Sequence, residues 1–406
     1  MKNNSILIVC FILFYNSFKA QSLPEFLKIA EENSSELQSL TYTYQTALEK
    51  VNEVGSLPNT TISAGYFLQE AETRVGAQKA KLSASQMLPW FGTFNAKKES
   101  AAFNAKAQLN TVELAKRTLF LNVKSAYYSL LELNQKKAVL NENIILLKTF
   151  ERIALRELEN NKATLVDVLK IQIEQNELDN KLNTLVTTFE SKKRTFNILL
   201  NRNENTAISL NDSIMLNADL YNKLELNDNP QLLALENKQL AVAKMEISNK
   251  KESLPSIGVG LDYIFVDNRP VDHLSDNGKD IIMPMVSVSV PLFSKKYSSK
   301  QKQLLLTKKA IESSKTTKQN ELNSQFETAL NMLTNSKASI EMLNNNIEKT
   351  QKAQNVLLKS YQVGKINFEQ LLEIQQLQLQ FQLKKIETEK EYALQKAQLE
   401  FLTSNN

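Results

Sequence analysis

Residues 156–169 read Arg-Glu-Leu-Glu-Asn-Asn-Lys-Ala-Thr-Leu-Val-Asp-Val-Leu, and residues 359–372, 203 positions later, read Lys-Ser-Tyr-Gln-Val-Gly-Lys-Ile-Asn-Phe-Glu-Gln-Leu-Leu. In both stretches a helical pattern ends at a short polar turn and a second helical pattern follows. Upstream anchors repeat in the same order: Ser56-Leu57-Pro58 returns as Ser253-Leu254-Pro255, and Pro89-Trp90-Phe91 returns as Pro291-Leu292-Phe293. Solenoid repeats are much shorter, roughly 20–50 residues. The chain is therefore predicted to be a duplicated half-protein.

The N-terminus indicates export. Lys2 precedes an apolar run over residues 6–18, and Ala20 follows it. This pattern predicts a signal peptide over residues 1–20, because the run is shorter than the ~20 apolar residues of a spanning helix. A short membrane anchor is the alternative. The single cysteine, Cys10, lies inside the signal, so the mature chain is expected to fold without disulfides.

Charge and side-chain chemistry exclude several function classes. The net charge is only +5 on 406 residues, with 49 basic and 44 acidic side chains, so solvated helix faces are expected rather than a nucleic-acid surface. The single histidine, His273, has no second histidine or mature cysteine with which to hold zinc. No nucleophile with a histidine base and no phosphate-binding glycine loop is present. The sequence thus predicts no enzyme, no metal and no cofactor.

Long helices dominate each half. Every seventh residue from Val112 to Ala154 is apolar, which forms a seam along one side of a helix. Neither Pro nor Gly interrupts the chain between Gly92 and Asn160. Such a seam predicts a coiled-coil rod of roughly 100 Å. A comparable seam follows each turn, so each half is predicted to contain a long helical hairpin, with tips near 159–164 and 362–367. The seam comprises Val112, Leu119, Ala126, Leu133, Leu140, Leu147 and Ala154.

Ahead of the long helices the period changes to two. Apolar residues alternate with polar or small ones in strands predicted near 59–70 and 77–88 and, in the second half, near 256–266 and 281–291. This alternation is typical of transmembrane β-strands. An amphipathic sheet on a soluble core is the alternative. Because four strands cannot close a barrel and an open edge is not tolerated in lipid, several copies are expected to share one.

The chain is accordingly divided into three parts. The signal peptide covers residues 1–20, the first repeat covers 21–220, and the second repeat covers 221–406. Each repeat is predicted to contain a helix, two strands and a long helical hairpin. Prolines at the strand–helix boundaries, Pro58, Pro89, Pro255 and Pro291, end one hydrogen-bonding pattern before the next begins.

These features together resemble the TolC family of outer-membrane efflux proteins. The resemblance rests on the helix end at residues 27–37, the Met87-Leu88-Pro89-Trp90-Phe91-Gly92 exit and the Tyr361-Gln362-Val363-Gly364 tip, in the family's order over the whole mature chain. It implies a mainly α fold with transmembrane β, in which duplicated coiled-coil hairpins each bring two strands to a trimeric twelve-stranded barrel. It further implies a Gram-negative outer-membrane exit duct with a periplasmic tunnel, serving an adaptor protein and an inner-membrane pump of the RND or ABC class.

The resemblance also implies functional residues at the hairpin tips. Asp167 and Tyr361 correspond to a pair that hydrogen-bonds between hairpins, and Gln370 and Glu373 to inward acids of a closable entrance, of which only Glu373 keeps the charge. Asn161 replaces the usual tip glycine, which a left-handed turn allows. The alternative is that these are solvated turn residues. Adaptor contacts are expected at Asn160, Asn161, Lys162, Val363, Gly364 and Lys365.

Two other functions remain open from the residues alone. A structural periplasmic or surface coiled-coil protein would use the hairpins as a spacer, although paired alternating strands argue against it. An outer-membrane enzyme on a barrel would need a catalytic constellation, and none is visible. The exported substrate is not encoded in any motif.

Overall fold

The computed structural model describes residues 22–403 except 211–213, 215, 217–220 and 271–274. The predicted signal peptide and His273 lie outside the described residues. The chain forms two compact units. Of the described residues, the first unit contains 22–34, those within 117–221, and 326–401, and the second contains 35–116, those within 222–325, and 402–403.

Seven α-helices in the described residues reproduce the duplication in their lengths. Helices α3 (Thr93–Glu159) and α6 (Lys296–Gln362) each have 67 residues, and α4 (Leu165–Leu199) and α7 (Phe368–Leu402) each have 35. The uninterrupted long helices follow from the absence of Pro and Gly. The others are α1 (Leu23–Asn33), α2 (Ser35–Val54) and α5 (Pro230–Glu252), with a 3-10 turn at Lys223–Asp228.

None of the helices in the described part of the chain is long and apolar enough to cross a membrane.

In the first unit, the ends of both hairpins share one hydrophobic core. Leu140, Leu147 and Ala154 of α3, three members of the predicted seam, are buried there with Ile171 of α4 and Leu371 of α7. Toward the start of α3, the seam members Leu119 and Ala126 are partly buried and pack against a second core. Val123, Tyr127 and Leu130 of α3 are fully buried in that core, together with Phe26 of α1 and Phe196 of α4. Leu133 is also partly buried.

A layer of buried amides crosses this first core. The Asn143 side chain accepts a hydrogen bond from Gln375 Nε2 (3.0 Å) and donates to Gln382 Oε1 (3.2 Å), which joins α3 to α7. Gln378 Nε2 donates to Gln351 Oε1 on α6 (2.7 Å). Gln375 Oε1 and Gln378 Oε1 are buried without a partner among the described residues, so the layer is incompletely satisfied in the single chain.

The second unit contains an antiparallel sheet of four strands in the order β1-β2-β3-β4. Strand β1 is Thr61–Thr73, β2 is Gly76–Leu88, β3 is Ser256–Val266 and β4 is Ile281–Ser289. Strand β1 extends beyond the predicted residue 70, and β4 ends two residues before the predicted 291. Strands β1 and β4 are the edges.

The two faces of the sheet differ as the alternation predicts. Leu82 pairs with Tyr263 and Tyr263 with Ile282 on one face, whereas Ser83 pairs with Asp262 on the other. The apolar face is uncovered in the single chain, with Leu68 97% and Val286 76% exposed. A large exposed apolar surface marks an interaction with protein or membrane.

Candidate functional site at the hairpin tips

The two hairpin turns have the same backbone geometry. Asn161 has a φ of 55° and Gly364 a φ of 71°, the left-handed conformation that ends many helices. The Lys162 N–H donates to Glu157 O (2.8 Å), and the Lys365 N–H donates to Ser360 O (3.0 Å), each closing a Schellman motif. Asparagine tolerates this conformation better than most residues, which explains why the first turn forms without glycine. All six predicted adaptor-contact residues are exposed.

Asp167 is engaged within its own hairpin. Its Oδ2 accepts from the Thr164 backbone N–H (2.9 Å) and from the Thr164 hydroxyl (2.8 Å). The Asp167 N–H donates back to Thr164 Oγ1 (3.3 Å), which completes a capping box at the start of α4. The first task of this carboxylate is therefore to satisfy the free donors at a helix N-terminus.

Tyr361 is buried in the core that the two hairpins share. Its ring lies edge-on to Phe368, with centroids 5.4 Å apart, and its side chain is only 4% exposed. The hydroxyl is buried without a hydrogen-bond partner among the described residues. Burial raises the pKa of Tyr361 to about 12, with smaller contributions from the carboxylates of Asp167 and Glu157.

The predicted Asp167–Tyr361 hydrogen bond is not formed in the single chain. The two groups are close enough to interact electrostatically, but the Asp167 carboxylate is bonded to Thr164 and the Tyr361 hydroxyl has no partner among the described residues. A contact with another copy of the chain lies outside this single-chain structure, so the latch role of both residues stays a prediction.

Gln370 and Glu373 are exposed on the first turns of α7. Beside them lies an ion pair that the sequence analysis did not identify: Lys170 Nζ of α4 donates to Glu369 Oε1 of α7 (2.9 Å). The hydrogen bond to Glu369 and its charge raise the pKa of Lys170, and Asp167 and Glu373 add smaller contributions. One lysine therefore lies among three carboxylates where α4 and α7 begin.

A signal for Lys170 was present in the repeat. Position 170 in the first repeat corresponds to position 373 in the second, because 170 + 203 = 373. Lys170 and Glu373 are thus opposite charges at equivalent positions of two similar hairpins. Farther along the same helices, Gln376 Nε2 of α7 donates to Glu174 Oε2 of α4 (2.8 Å), a second polar link between them.

The arrangement offers polar and charged contacts but no group of side chains typical of catalysis. In the part of the chain that the structure describes, no cluster of three or more His, Cys, Asp or Glu residues is placed to hold a metal ion. The tips instead combine rigid turns, a buried hydroxyl without a partner among the described residues, and one interhelical ion pair. Such features suit an opening or a docking surface.

Comparisons with known proteins give a consistent picture. Residues 221–405 match the family model described as outer membrane efflux protein, which confirms the resemblance drawn from the sequence. A search of curated proteins by sequence finds no significant match.

Solved structures match nearly the whole chain. The outer-membrane channel OprN is similar with a TM-score of 0.76 at 14% identity, over 95% of this chain and 90% of that chain. The outer membrane protein VceC of Vibrio cholerae is similar with a TM-score of 0.73 at 13% identity, over 94% of this chain and 95% of that chain. The CmeC outer membrane channel of Campylobacter jejuni is similar with a TM-score of 0.72 at 14% identity, over 94% of this chain and 85% of that chain. The predicted fold of the single chain, in which long helical hairpins are joined to pairs of strands, is thereby confirmed.

Proposed function

We propose that this protein, which matches the outer membrane efflux protein family over residues 221–405, is the outer-membrane exit duct of a tripartite efflux or type I secretion system. It conducts substrate passively from an inner-membrane pump and a periplasmic adaptor to the outside. No catalytic step or cofactor is part of this function.

The observation that carries the proposal is the uncovered apolar face of the sheet. Val259 pairs with Val286, and Ile257 pairs with Val288, so apolar side chains of neighbouring strands form one continuous surface. Val286 and Val288 are 76% and 62% exposed in the single chain. Lipid covers such a surface in a membrane barrel. A coiled-coil spacer has no use for it, which disfavours the structural alternative.

The free edges of β1 and β4 support assembly from several copies. Each edge carries unpaired backbone N–H and C=O groups, which cannot remain unsatisfied in lipid. Pairing β1 of one copy with β4 of the next satisfies both edges. Three copies of four strands give the twelve-stranded barrel of a homotrimer.

The hairpin tips would form the periplasmic entrance. In this proposal Asp167, Tyr361, Gln370 and Glu373 line or latch the opening, and Lys170 and Glu369 join them. The adaptor would contact the exposed turns at Asn160, Asn161, Lys162, Val363, Gly364 and Lys365. The pump belongs to the RND or ABC class.

Planar lipid bilayers test the function directly. Purified full-length protein is expected to insert and produce discrete ion-conducting steps. Buffer with detergent alone and the same protein after heat denaturation serve as controls. A folded protein that never conducts ions and does not require detergent for solubility would refute the proposal.

A further inference from the structure

All four strands meet the helices at one end of the sheet, formed by the ends of the strands. We call this end the junction edge, to distinguish it from the edge strands β1 and β4. Thr61 pairs with Ser85, Leu88 with Ile257, and Ile257 with Val288, so β1 and β3 begin where β2 and β4 end. Large apolar side chains lie just outside this edge and are exposed. We call them the junction belt: Leu57, Trp90, Phe91, Leu254, Leu292 and Phe293.

Phe293 is the most exposed member of the junction belt. Its side chain is 101% exposed, and its backbone has a φ of 57°. A left-handed backbone is unfavourable for a bulky residue and indicates a functional constraint. The equivalent Phe91 is 78% exposed and stands edge-on to Trp90, with centroids 6.2 Å apart. Both repeats therefore direct a phenylalanine away from the protein at the same level.

Six lysines lie within seven residues of a junction-belt member along the chain, on or beside the helix ends that meet the sheet. We call them the lysine collar: Lys98, Lys250, Lys251, Lys295, Lys296 and Lys300. The Lys251 ammonium donates to Phe91 O (3.1 Å), which ties the collar to the belt. Two acids on the same helices are already paired with other lysines, since Glu252 binds Lys97 (2.5 Å) and Glu99 binds Lys244 (2.6 Å).

The collar opposes the local preference of the helices. Helices α1, α2, α4 and α7 each place an acidic residue in the first turn, whereas α3, α5 and α6 place none there. Of these three, α3 and α6 begin at the junction edge. Lys296 stands in the first turn of α6, where the positive end of the helix dipole disfavours a cation. At the opposite edge of the sheet Arg74 pairs with Asp276 and Arg269 with Glu72. The unbalanced charge is thus placed at the junction edge.

We infer that the junction belt and the lysine collar together bind the membrane leaflet at this edge, with the collar on the phosphates of anionic phospholipids. This inference rests on the proposed function and names the lipid class it requires. Aromatic rings favour the membrane interface, and lysine binds phosphate as a point charge. Basic side chains near a membrane are attracted by anionic headgroups.

Lipid retention by the intact protein tests the collar. Full-length trimers are placed in nanodiscs of phosphatidylcholine with or without phosphatidylglycerol, re-extracted, and their bound lipid is quantified. The variant Lys98→Gln/Lys295→Gln/Lys296→Gln/Lys300→Gln is expected to retain about tenfold less phosphatidylglycerol than wild type. The control Lys192→Gln/Lys238→Gln/Lys309→Gln/Lys349→Gln removes four exposed lysines elsewhere and is expected to match wild type.

Three outcomes would overturn the inference. In the first, the collar variant retains as much phosphatidylglycerol as wild type. In the second, wild type retains as much phosphatidylcholine as phosphatidylglycerol. In the third, inorganic phosphate, at the same concentration as the lipid phosphate, releases the bound phosphatidylglycerol from wild type. Light scattering establishes that each variant is still a trimer. If wild type forms channels and the collar variant keeps its lipid, only this inference fails; if wild type forms no channels, the proposed function fails.

A second variant tests the belt independently of charge. Phe293→Gly removes the ring and relieves the left-handed strain, so its melting temperature in detergent is expected to equal or exceed that of wild type. In phosphatidylglycerol nanodiscs the same variant is expected to melt below wild type. A variant that is at least as stable as wild type in both environments, or equally destabilised in both, would overturn the role of the belt.

Discussion

Asp167 and Tyr361 lie near each other at the hairpin tips but differ in how they are satisfied. Asp167 caps α4 through Thr164, whereas the Tyr361 hydroxyl is buried and unpaired among the described residues. A buried hydroxyl without a partner costs about 1–3 kcal/mol. A partner supplied by a neighbouring copy would therefore stabilise closed tips, which is the physical basis of the latch.

The double variant Tyr361→Phe/Asp167→Ala is expected to conduct more than wild type in planar bilayers, because in the proposed trimer the substitutions remove all copies of the contact at once. Thr164→Ala is the matched control, since it removes the same cap, at a cost of about 1 kcal/mol, but keeps the Asp167 charge. Equal conductance of the double variant and wild type, or an equal rise in Thr164→Ala, would rule out the latch.

The entrance charges give a prediction with two opposite signs. Glu373→Ala is expected to lower cation selectivity without opening the channel, because it removes a negative charge. Lys170→Gln is expected to raise cation selectivity, because it removes a positive charge. The reversal potential in a salt gradient measures both, with Lys309→Gln as a control, because Lys309 is exposed and lies 53 residues before the end of α6 at Gln362. Shifts of the same direction in both variants would show that these side chains do not face the ion path.

The Lys170 part of this prediction also has a defined pH range. The interaction with Glu369 raises the pKa of Lys170 above the ordinary 10.5, so the lysine stays charged until the pH rises through that higher value. The selectivity difference between wild type and Lys170→Gln is therefore expected to stay constant from about pH 6 to pH 9. A difference that disappears within this range would assign the effect to another group.

Single residues were predictable where the chemistry is local. The left-handed turn at Asn161 depends on its own backbone and was anticipated from the sequence. The Lys170–Glu369 pair joins residues 199 positions apart, and the capping role of Asp167 competes with its expected interhelical role. Neither follows from spacing alone, because the pair depends on how two hairpins pack and the cap on how the turn closes.

At the scale of elements, periodicity indicated the strands and long helices, and packing decided what periodicity could not. The period-two pattern places Val288 and Ser287 on opposite faces, and their partners Ile257 and Gly258 agree. Near Tyr127 the core includes a residue outside the α3 seam, because α1 and α4 both pack against the helix there. A seven-residue pattern gives the apolar face but not which neighbour covers it.

The sheet faces predict a matched pair of substitutions. Val288→Arg is expected to destabilise the membrane-inserted protein by about 2–4 kcal/mol, because it places a charge in lipid, whereas Ser287→Arg is expected to be tolerated on the lumenal face. Val259→Arg is expected to behave like Val288→Arg. Unfolding in lipid vesicles measures the difference, and equal effects at positions 287 and 288 would remove the barrel assignment.

The buried amide layer between α3 and α7 gives another test. Asn143→Leu leaves Gln375 buried with a further unpaired atom and is expected to cost about 1–3 kcal/mol. Replacing both Asn143 and Gln375 with leucine removes both partners of their hydrogen bond and is expected to cost less than the sum of the two single replacements. Thermal unfolding of wild type, the two single variants and the double variant gives the four stabilities of a double-mutant cycle. Additive losses would show that the two amides are not coupled.

At the scale of the whole molecule, four strands with two free edges require other copies of the chain, because unpaired edges are not tolerated in lipid. Detergent-solubilised protein is therefore expected to be trimeric by light scattering. Cysteines placed on the apolar face of β1 and β4 are expected to crosslink between copies, which non-reducing electrophoresis detects. Ala64→Cys is combined in turn with a cysteine at each of four positions that together scan the register of β4: Ile282, Pro284, Val286 and Val288.

Each single-cysteine variant is the matched control for its pair, because an intermolecular β1–β4 crosslink needs both edges. Cys10 lies in the predicted signal, so each crosslink in the processed protein reports one designed contact. The register that crosslinks best would give the stagger between neighbouring copies, which the pairings within one chain do not determine. A stable folded monomer in which none of the four pairs crosslinks would refute the shared sheet.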